Sequence, residues 1–385
     1  MKRCTHFDFI IIGNGLAGLQ LALKLSSEKH FEKSSIALID PSTKSDNDKT
    51  WSFWESQSSQ WDTLAYKTWD KASIITSKKT IDLTLNPYVY RSIRAIDFYK
   101  DAKSELSKKN NIKFILEHVT SVSEVKSEKA KVIVTTGIRE YSGSHVFDSR
   151  IPETFSLTSK HTISIIQHFK GWVIQTKNDA FEDHTVTMMD YRLKDGNQTT
   201  FTYVLPFSKT EALVEFTYFT AHTVTEDVYD AHIKQYIKDY LNIDVYKVIE
   251  TETGQIPMTN YKFEKFNTKN ITKIGTAGGW VKGSTGYSFK HTEKKVNLII
   301  NNLKADVIPS QGLFKRKYKF YDKIFLKVLK DENHKGEWIF ENFYSKNSVQ
   351  TMFRFLDEES TFREEIKIML SLFSWSFIKA FFKTL

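Results

Sequence analysis

Residues 7–12 (Phe-Asp-Phe-Ile-Ile-Ile) form a strand-length apolar run, and Gly13-Asn14-Gly15-Leu16-Ala17-Gly18 follows at once. Leu19, Leu21, Ala22, Leu23 and Leu25 then supply the apolar positions of a helix, and residues 34–40 read as a second strand ending at Asp40. Few folds accommodate this order. Gly13 permits a tight strand-to-helix turn, Gly15 lets backbone approach a pyrophosphate, and Gly18 lets helix and strand pack closely. The helix start, through Leu16 and Ala17, offers free N–H groups and a positive dipole end to phosphate. Asp40 lies 22 residues after Gly18, where its carboxylate can accept from a ribose hydroxyl. The result is a right-handed βαβ unit that binds a dinucleotide.

The triplet alone does not distinguish FAD from NAD. It occurs once, so the chain has no second built-in domain of this kind for NADPH. A length of 385 residues calls for two or three structural regions. The formal charge of +9 suits nucleic acid or an anionic membrane surface. Basic residues are interleaved with acids over most of the chain, which favours a solvated surface over a nucleic-acid partner. Cys4 is the one cysteine, so no internal disulfide forms, in keeping with a reducing compartment. The basic start at Lys2-Arg3 is followed by the glycine turn rather than by a cleavage site, so it is not a signal peptide. No transmembrane run is present. The histidines lack metal-ligand spacing, and no metal is expected.

Further along, 93–109 has helical spacing, while 112–119, 131–136 and 145–150 read as strands. Residues 160–219 alternate and are rich in Thr, Val, Phe and Tyr, which predicts several antiparallel strands. Residues 224–241 look helical, 271–275 form a short strand entering a glycine-rich turn, and the rest is helical. The expected fold class is α/β. A discontinuous Rossmann-like domain takes 1–45, 94–150 and 270–300. A β-rich substrate domain, from 46–93 and 151–269, is inserted in it, and a helical region occupies 301–385.

Three further segments join the fingerprint. They are Asp48-Lys49-Thr50-Trp51-Ser52-Phe53-Trp54, His145-Val146-Phe147-Asp148-Ser149-Arg150, and the run Gly275-Thr276-Ala277-Gly278-Gly279-Trp280 through Phe289. A late stretch, 354–360, belongs with them. Together they resemble the bacterial lycopene β-cyclases from about Phe7 to the C-terminal region. The resemblance implies closure of the ψ-ends of lycopene to β-rings, giving γ-carotene and then β-carotene without net redox change. The implied cofactor is FAD in reduced form, with NAD(P)H as external electron donor. The family's essential acid follows a Leu-Pro-Phe/Leu-Ser segment; here Leu205-Pro206-Phe207-Ser208 precedes Glu215. Protonating an alkene needs a carboxylic acid whose pKa is raised by an apolar pocket. The resemblance also points to Asp190 for proton handling and to Gly278 and Gly279 for cofactor contact. Thr285 and Gly286 are expected to open the next helix beside the flavin. The acid of many flavoproteins' second motif is missing, replaced by Thr276 and Ala277. Trp51, Phe53 and Trp54 suit either a carotenoid tunnel or core packing, and Arg91 suits cofactor contact or, in preference, a plain surface role.

Lycopene lives in the bilayer, so this reading requires a membrane surface. Ile366, Met369, Leu370, Phe373, Phe377, Ile378, Phe381 and Phe382 recur at helical spacing, with Trp375 as a headgroup-level anchor. A packed core helix explains the same pattern. The expected location is cytoplasmic, peripheral to the inner face of the membrane. The alternatives are an FAD-dependent monooxygenase or polyprenyl reductase of the same fold, and a non-catalytic flavin-binding membrane protein.

Overall fold

The structure, a computed structural model, describes residues 4–56, 58–126, 130–157 and 162–385. The chain opens with β1 (Thr5–Ile12), α1 (Leu16–Ser27) and β2 (Ile36–Ile39). Short strands follow: β3 (Thr50–Ser56), β4 (Lys67–Trp69), β5 (Lys71–Ile75), β6 (Thr80–Thr84) and β7 (Tyr88–Arg94). Next come α2 (Ala95–Ser107), β8 (Ile112–Ile115), β9 (Val119–Glu124), β10 (Val132–Thr136) and β11 (Glu140–Asp148). β12 (Ser164–Gln175), β13 (Thr185–Asp190), β14 (Thr200–Pro206) and β15 (Glu211–Thr220) precede α3 (Glu226–Asp239) and β16 (Lys247–Thr259). After β17 (Ile271–Lys273) the chain is helical: α4 (Phe289–Lys304), α5 (Arg316–Asp331), α6 (Gly336–Lys346), α7 (Val349–Leu356), α8 (Phe362–Ser371) and α9 (Trp375–Thr384).

The first sheet runs β8-β2-β1-β11-β10-β9, with β17 also paired to β11. β8, β2, β1, β11 and β17 are mutually parallel. Ile36, Ala37, Leu38 and Ile39 are all fully buried, as expected of a parallel strand covered on both faces. One face packs on α1, α2 and α4 through Leu21, Leu25, Phe98 and Ile299. The other is covered by the β9–β10 side through Val119, Val132 and Val134. β1 neighbours β2 on one side and β11 on the other, so the crevice at its carboxyl end lies at the strand-order switch, where such sheets bind ligands.

The second sheet runs β16-β12-β15-β14-β13-β5-β6. Its two faces are covered differently. α3 covers one through Ile233 and Tyr236, packed on Val214, Phe216 and Tyr218. The C-terminal helices cover part of the other through Leu326, Phe340, Met352 and Phe353. A three-stranded sheet, β3-β7-β4, completes the fold.

Several expectations need correcting. Thr285 and Gly286 do not open a helix. Gly286 sits at φ +75° in a turn closed by Lys282 and Tyr287, and α4 begins at Phe289. The tail is two helices rather than one, with a break at Leu372–Ser374. Ile368, Leu372 and Ala380 pack into the core, while Leu370, Phe373, Trp375 and Phe382 are exposed. β16 was not expected. Its residues Glu250, Thr251, Glu252 and Thr253 carry no apolar alternation, because it is an edge strand.

Candidate active site

The glycine loop is held by contacts specific to its residues. Gly13 has φ +103°, and a Cβ there would lie 2.0 Å from Ser149 Oγ. Ser149 in turn donates to the Ile12 carbonyl at 2.7 Å, so the Asp148-Ser149-Arg150 segment seats directly on the turn. A Cβ on Gly18 would lie 1.9 Å from the Gly13 carbonyl oxygen. Gly15 meets nothing within 4 Å, and the backbone there is open to a ligand. Asp40 fixes the same loop: its Oδ2 accepts from the Asn14 N–H at 2.6 Å and its Oδ1 from the Ser42 N–H at 2.7 Å.

A cavity of about 620 Å³ extends from this loop to the second sheet. That volume lies in the range of small-molecule and cofactor sites. Gly13, Gly15, Leu16, Ala17 and Gly18 line one end, with Gly275, Thr276, Thr285 and Gly286 beside them. Tyr203, Glu215, Phe219, Phe340 and Tyr344 line the other. Thr285 Oγ1, Gln167 Oε1 and Trp280 Nε1 also face this cavity, and each is buried without a hydrogen-bond partner among the described residues. Open glycine backbone plus orphaned polar atoms fits an extended polar ligand such as a dinucleotide.

Gly278 and Gly279 do not reach this cavity. Gly278 ends a 3₁₀ turn, Gly275–Gly278, that follows β17, and Gly279 caps it. A Cβ on Gly278 would lie 2.5 Å from the Lys273 carbonyl oxygen, and Gly279 lies against Phe263 at φ +70°. Gly275 and Thr276 take the place expected of them.

Glu215 stands in the middle of β15, 6% exposed. Its neighbours across the sheet are Tyr203 on β14 and Gly171 on β12. Beyond Gly171, in the same row, is Glu252 of β16, 7% exposed. Gly171 has no side chain to separate the two acids. A Cβ there would sit 3.3 Å from Glu215 Cβ and 3.4 Å from Glu252 Cγ. Thr217 Oγ1 donates to Glu215 Oε1 at 2.7 Å, and Thr50 Oγ1 donates to Glu252 Oε2 at 2.8 Å. Burial, and then the charge of Glu252, hold the Glu215 carboxyl well above the ordinary carboxylate range. Burial pushes Glu252 up to about 7, against the hydrogen bonds from Thr50 and Glu215. The two carboxyls therefore titrate as a coupled pair that favours keeping a proton.

Above Glu215 lies a hydroxyl chain. Tyr203 and Tyr90 are 2.8 Å apart through their oxygens, and Tyr90 and Tyr287 are 3.4 Å apart. Burial raises all three phenols far above their usual range, so they stay neutral. A neutral acid among aromatic faces can protonate an apolar substrate, and the rings can stabilise a carbocation.

Asp190 is not brought to this site. It is fully buried, but it lies in the row of Thr202 and Phe216, which faces α3. Arg192 pairs with it at 2.6 Å and Tyr236 donates to it at 2.7 Å. Successive strand residues alternate faces, and Asp190 belongs to the row next to that of Glu215. Trp51 lines the cavity. Phe53 and Trp54 instead stack on Phe289 and Phe353 at 4.3 and 4.5 Å, contacts that contribute about 0.5–1.5 kcal/mol each. Arg91 is buried rather than on the surface, at 4% exposure, and pairs with Glu55 and Asp62. Glu252, Gly171, Tyr203 and Thr217 escaped the reading of the sequence, because only the register of β16 on β12 shows that Glu252 is buried beside Glu215.

The model of the lycopene cyclase protein family matches residues 8–381, nearly the whole chain. The chain belongs to the lycopene cyclase family. No curated protein matches it in sequence. Among solved structures, a geranylgeranyl bacteriochlorophyll reductase-like protein from Thermoplasma acidophilum aligns with TM-score 0.63 over 100% of both chains at 11% identity. The flavin-dependent brominase Bmp2 aligns with TM-score 0.56, covering 95% of this chain and 94% of its own, at 14% identity. A flavin-dependent halogenase from Xanthomonas campestris aligns with TM-score 0.59, covering 96% and 89%, at 10% identity. At such identities the likeness establishes the mixed α/β, Rossmann-like fold that this cyclase-family chain shares with them.

Proposed function

We propose that the chain is a lycopene β-cyclase in which Glu215 is the proton donor. The observation that carries this is a buried carboxyl, paired with a second carboxyl, on the wall of a cavity that begins at a dinucleotide-type glycine loop. The cavity residues fit FAD. The N–H groups from Gly15 to Gly18 would hold its pyrophosphate, and Thr285 and Gln167 would meet its polar groups. When bound in reduced form, FAD supplies negative charge close to where positive charge develops. NAD(P)H would be the external reductant.

Glu215 gives its proton to a terminal C=C of the lycopene ψ-end, forming a tertiary cation. The neighbouring double bond attacks that carbon, and the ring closes. Tyr203, Phe201, Phe219 and Phe340 enclose the cation and exclude water. The ring then loses a proton, which the ionised Glu215–Glu252 pair takes back, so no acid is consumed over a cycle. No electron changes hands.

Lycopene reaches the cavity from a bilayer, and the exposed outer sides of α8 and α9 are the proposed contact. Leu370, Phe373, Trp375 and Phe382 are 67–76% exposed there. Among the described residues no helix is long and apolar enough to cross a membrane.

The decisive experiment is expression in a lycopene-accumulating host, with pigment analysis and NAD(P)H accounting. Monocyclic and then bicyclic β-ring products, with only catalytic reductant consumed, are expected. Unchanged lycopene would sink the reading. Stoichiometric NAD(P)H consumption would point to a reductase or hydroxylase. Replacing Phe373 and Phe382 by Ser should weaken flotation with liposomes, and unchanged flotation would refute the membrane contact.

A further inference from the structure

A second cavity, of about 440 Å³, shares the wall formed by Pro257, Thr276, Trp280 and Val281 with the first. Its far side is built from α4 and α5. Lys295 comes from α4, and Arg316, Lys319 and Lys323 are spaced along one side of α5. Lys262 and Lys282 complete six cationic side chains, against the three acids Glu264, Asp322 and Glu358.

The acids are already committed. Lys282, which is buried, pairs with Asp322 at 3.0 Å and with Glu358 at 3.6 Å. Lys319 pairs with Glu264 at 2.6 Å. Lys323 donates to the Thr384 carbonyl. Lys295 is left over. It is 8% exposed and lines the cavity, with no hydrogen bond or ion pair among the described residues. Its ammonium lies 5.0 Å from the centre of the Phe314 ring. Burial, with Lys282, Lys294 and Lys319 nearby and only Glu358 opposing, lowers it to about 8. A buried cation without a counter-charge is costly unless something supplies one. The first turn of α5 adds Arg316 to the cavity wall, with Lys317 paired to Glu365 and Lys315 donating to the Glu358 carbonyl beside it. Lys315, Arg316 and Lys317 crowd a helix start that has no acid, where the helix's own N–H groups are already positive.

We propose that this second cavity is an anion site that takes a phosphoryl group, with Lys295 as its inner cation. The phosphoryl group has two possible sources, a lipid headgroup or free phosphate. α5 also carries Phe320, which packs on Phe381 of the exposed α9 surface at 5.8 Å. A headgroup held here would therefore have its lipid chains beside the proposed membrane contact. That choice of source rests on the membrane reading, whereas the anion site does not.

The test uses the full-length, flavin-loaded protein. Inorganic phosphate is titrated by calorimetry, and flotation is measured with phosphatidylcholine vesicles with and without phosphatidylglycerol. Lys295→Gln is expected to weaken phosphate binding, phosphatidylglycerol-dependent flotation, or both, at least tenfold. The exposed pair Lys262→Gln with Arg316→Gln, which leaves the interior intact, should act in the same direction. Lys330→Gln, an equal charge change outside the cavity, should have no effect. Loss of phosphate binding with unchanged flotation identifies free phosphate. The reverse identifies a lipid headgroup. If neither Lys295→Gln nor the double variant changes either measurement, the proposal is overturned. No readout requires turnover, so failure of the cyclase reading would leave this result intact.

Discussion

The two faces of the second sheet bury carboxylates in opposite company. On the α3 face, Asp190 meets Arg192 and the Tyr236 hydroxyl. On the cavity face, Glu215 meets a threonine hydroxyl, a row of aromatic rings and a second acid. Both are more than nine-tenths buried. Burial therefore does not separate a structural acid from the proposed proton donor; the neighbouring charge does. A cation beside a buried carboxylate supplies its counter-charge and holds the fold together. An acid beside it keeps a proton on the pair, available to a substrate.

This contrast can be broken by experiment. Glu215→Gln should have the largest effect, lowering cyclisation by roughly 10²–10⁴-fold or more, as expected for loss of a positioned general acid. Flavin content and melting temperature should hardly move, and normal pigment conversion by this variant would end the assignment. Asp190→Asn should do the reverse. It leaves Arg192 without its partner and should cost about 3 kcal/mol in denaturant unfolding. That is the low end for a broken buried pair, because the Arg192 side chain is 37% exposed. Activity per folded molecule should persist, and a catalytic defect without a stability defect would reverse the comparison.

Glu252→Gln sharpens it further. Glu252 raises Glu215, so its removal should bring the Glu215 carboxyl down and move the alkaline limb of the pH–rate profile to lower pH. The acid limb near 7, set by ionisation of Glu252, should vanish. The rate at the optimum should fall about tenfold, at the low end for acid–base assistance. A profile identical to wild type would show that the two acids act independently. Thr217→Val, which removes one hydrogen bond to Glu215, should change the activation barrier by about 1 kcal/mol. That is measurable as a several-fold change in kcat at unchanged flavin binding.

The sequence was most legible where chemistry and local geometry coincide. The glycine loop could be read because Gly13, Gly15 and Gly18 each answer a local demand, a positive φ, an open approach and a tight crossing. Glu215 was singled out through the family resemblance, by its place after Leu205-Pro206-Phe207-Ser208. The same logic misplaced Gly278 and Gly279, since a glycine run does not say which side of a turn faces the cavity. It also passed over Glu252, whose strand is polar and lies at a sheet edge.

The sequence by itself therefore determined the nucleotide-type βαβ unit, the α/β class and the family, and through the family it put Glu215 forward as the proposed acid. These depend on residues close together in the chain. The tertiary structure alone decided that Glu252 shares the row of Glu215 across Gly171, that Asp190 faces the other way, and that Lys295 lies unpaired among the described residues in a basic cavity. The physical reason is that a side chain's ionisation depends on which charges lie within a few ångströms of it. Here those charges come from strands and helices tens of residues away.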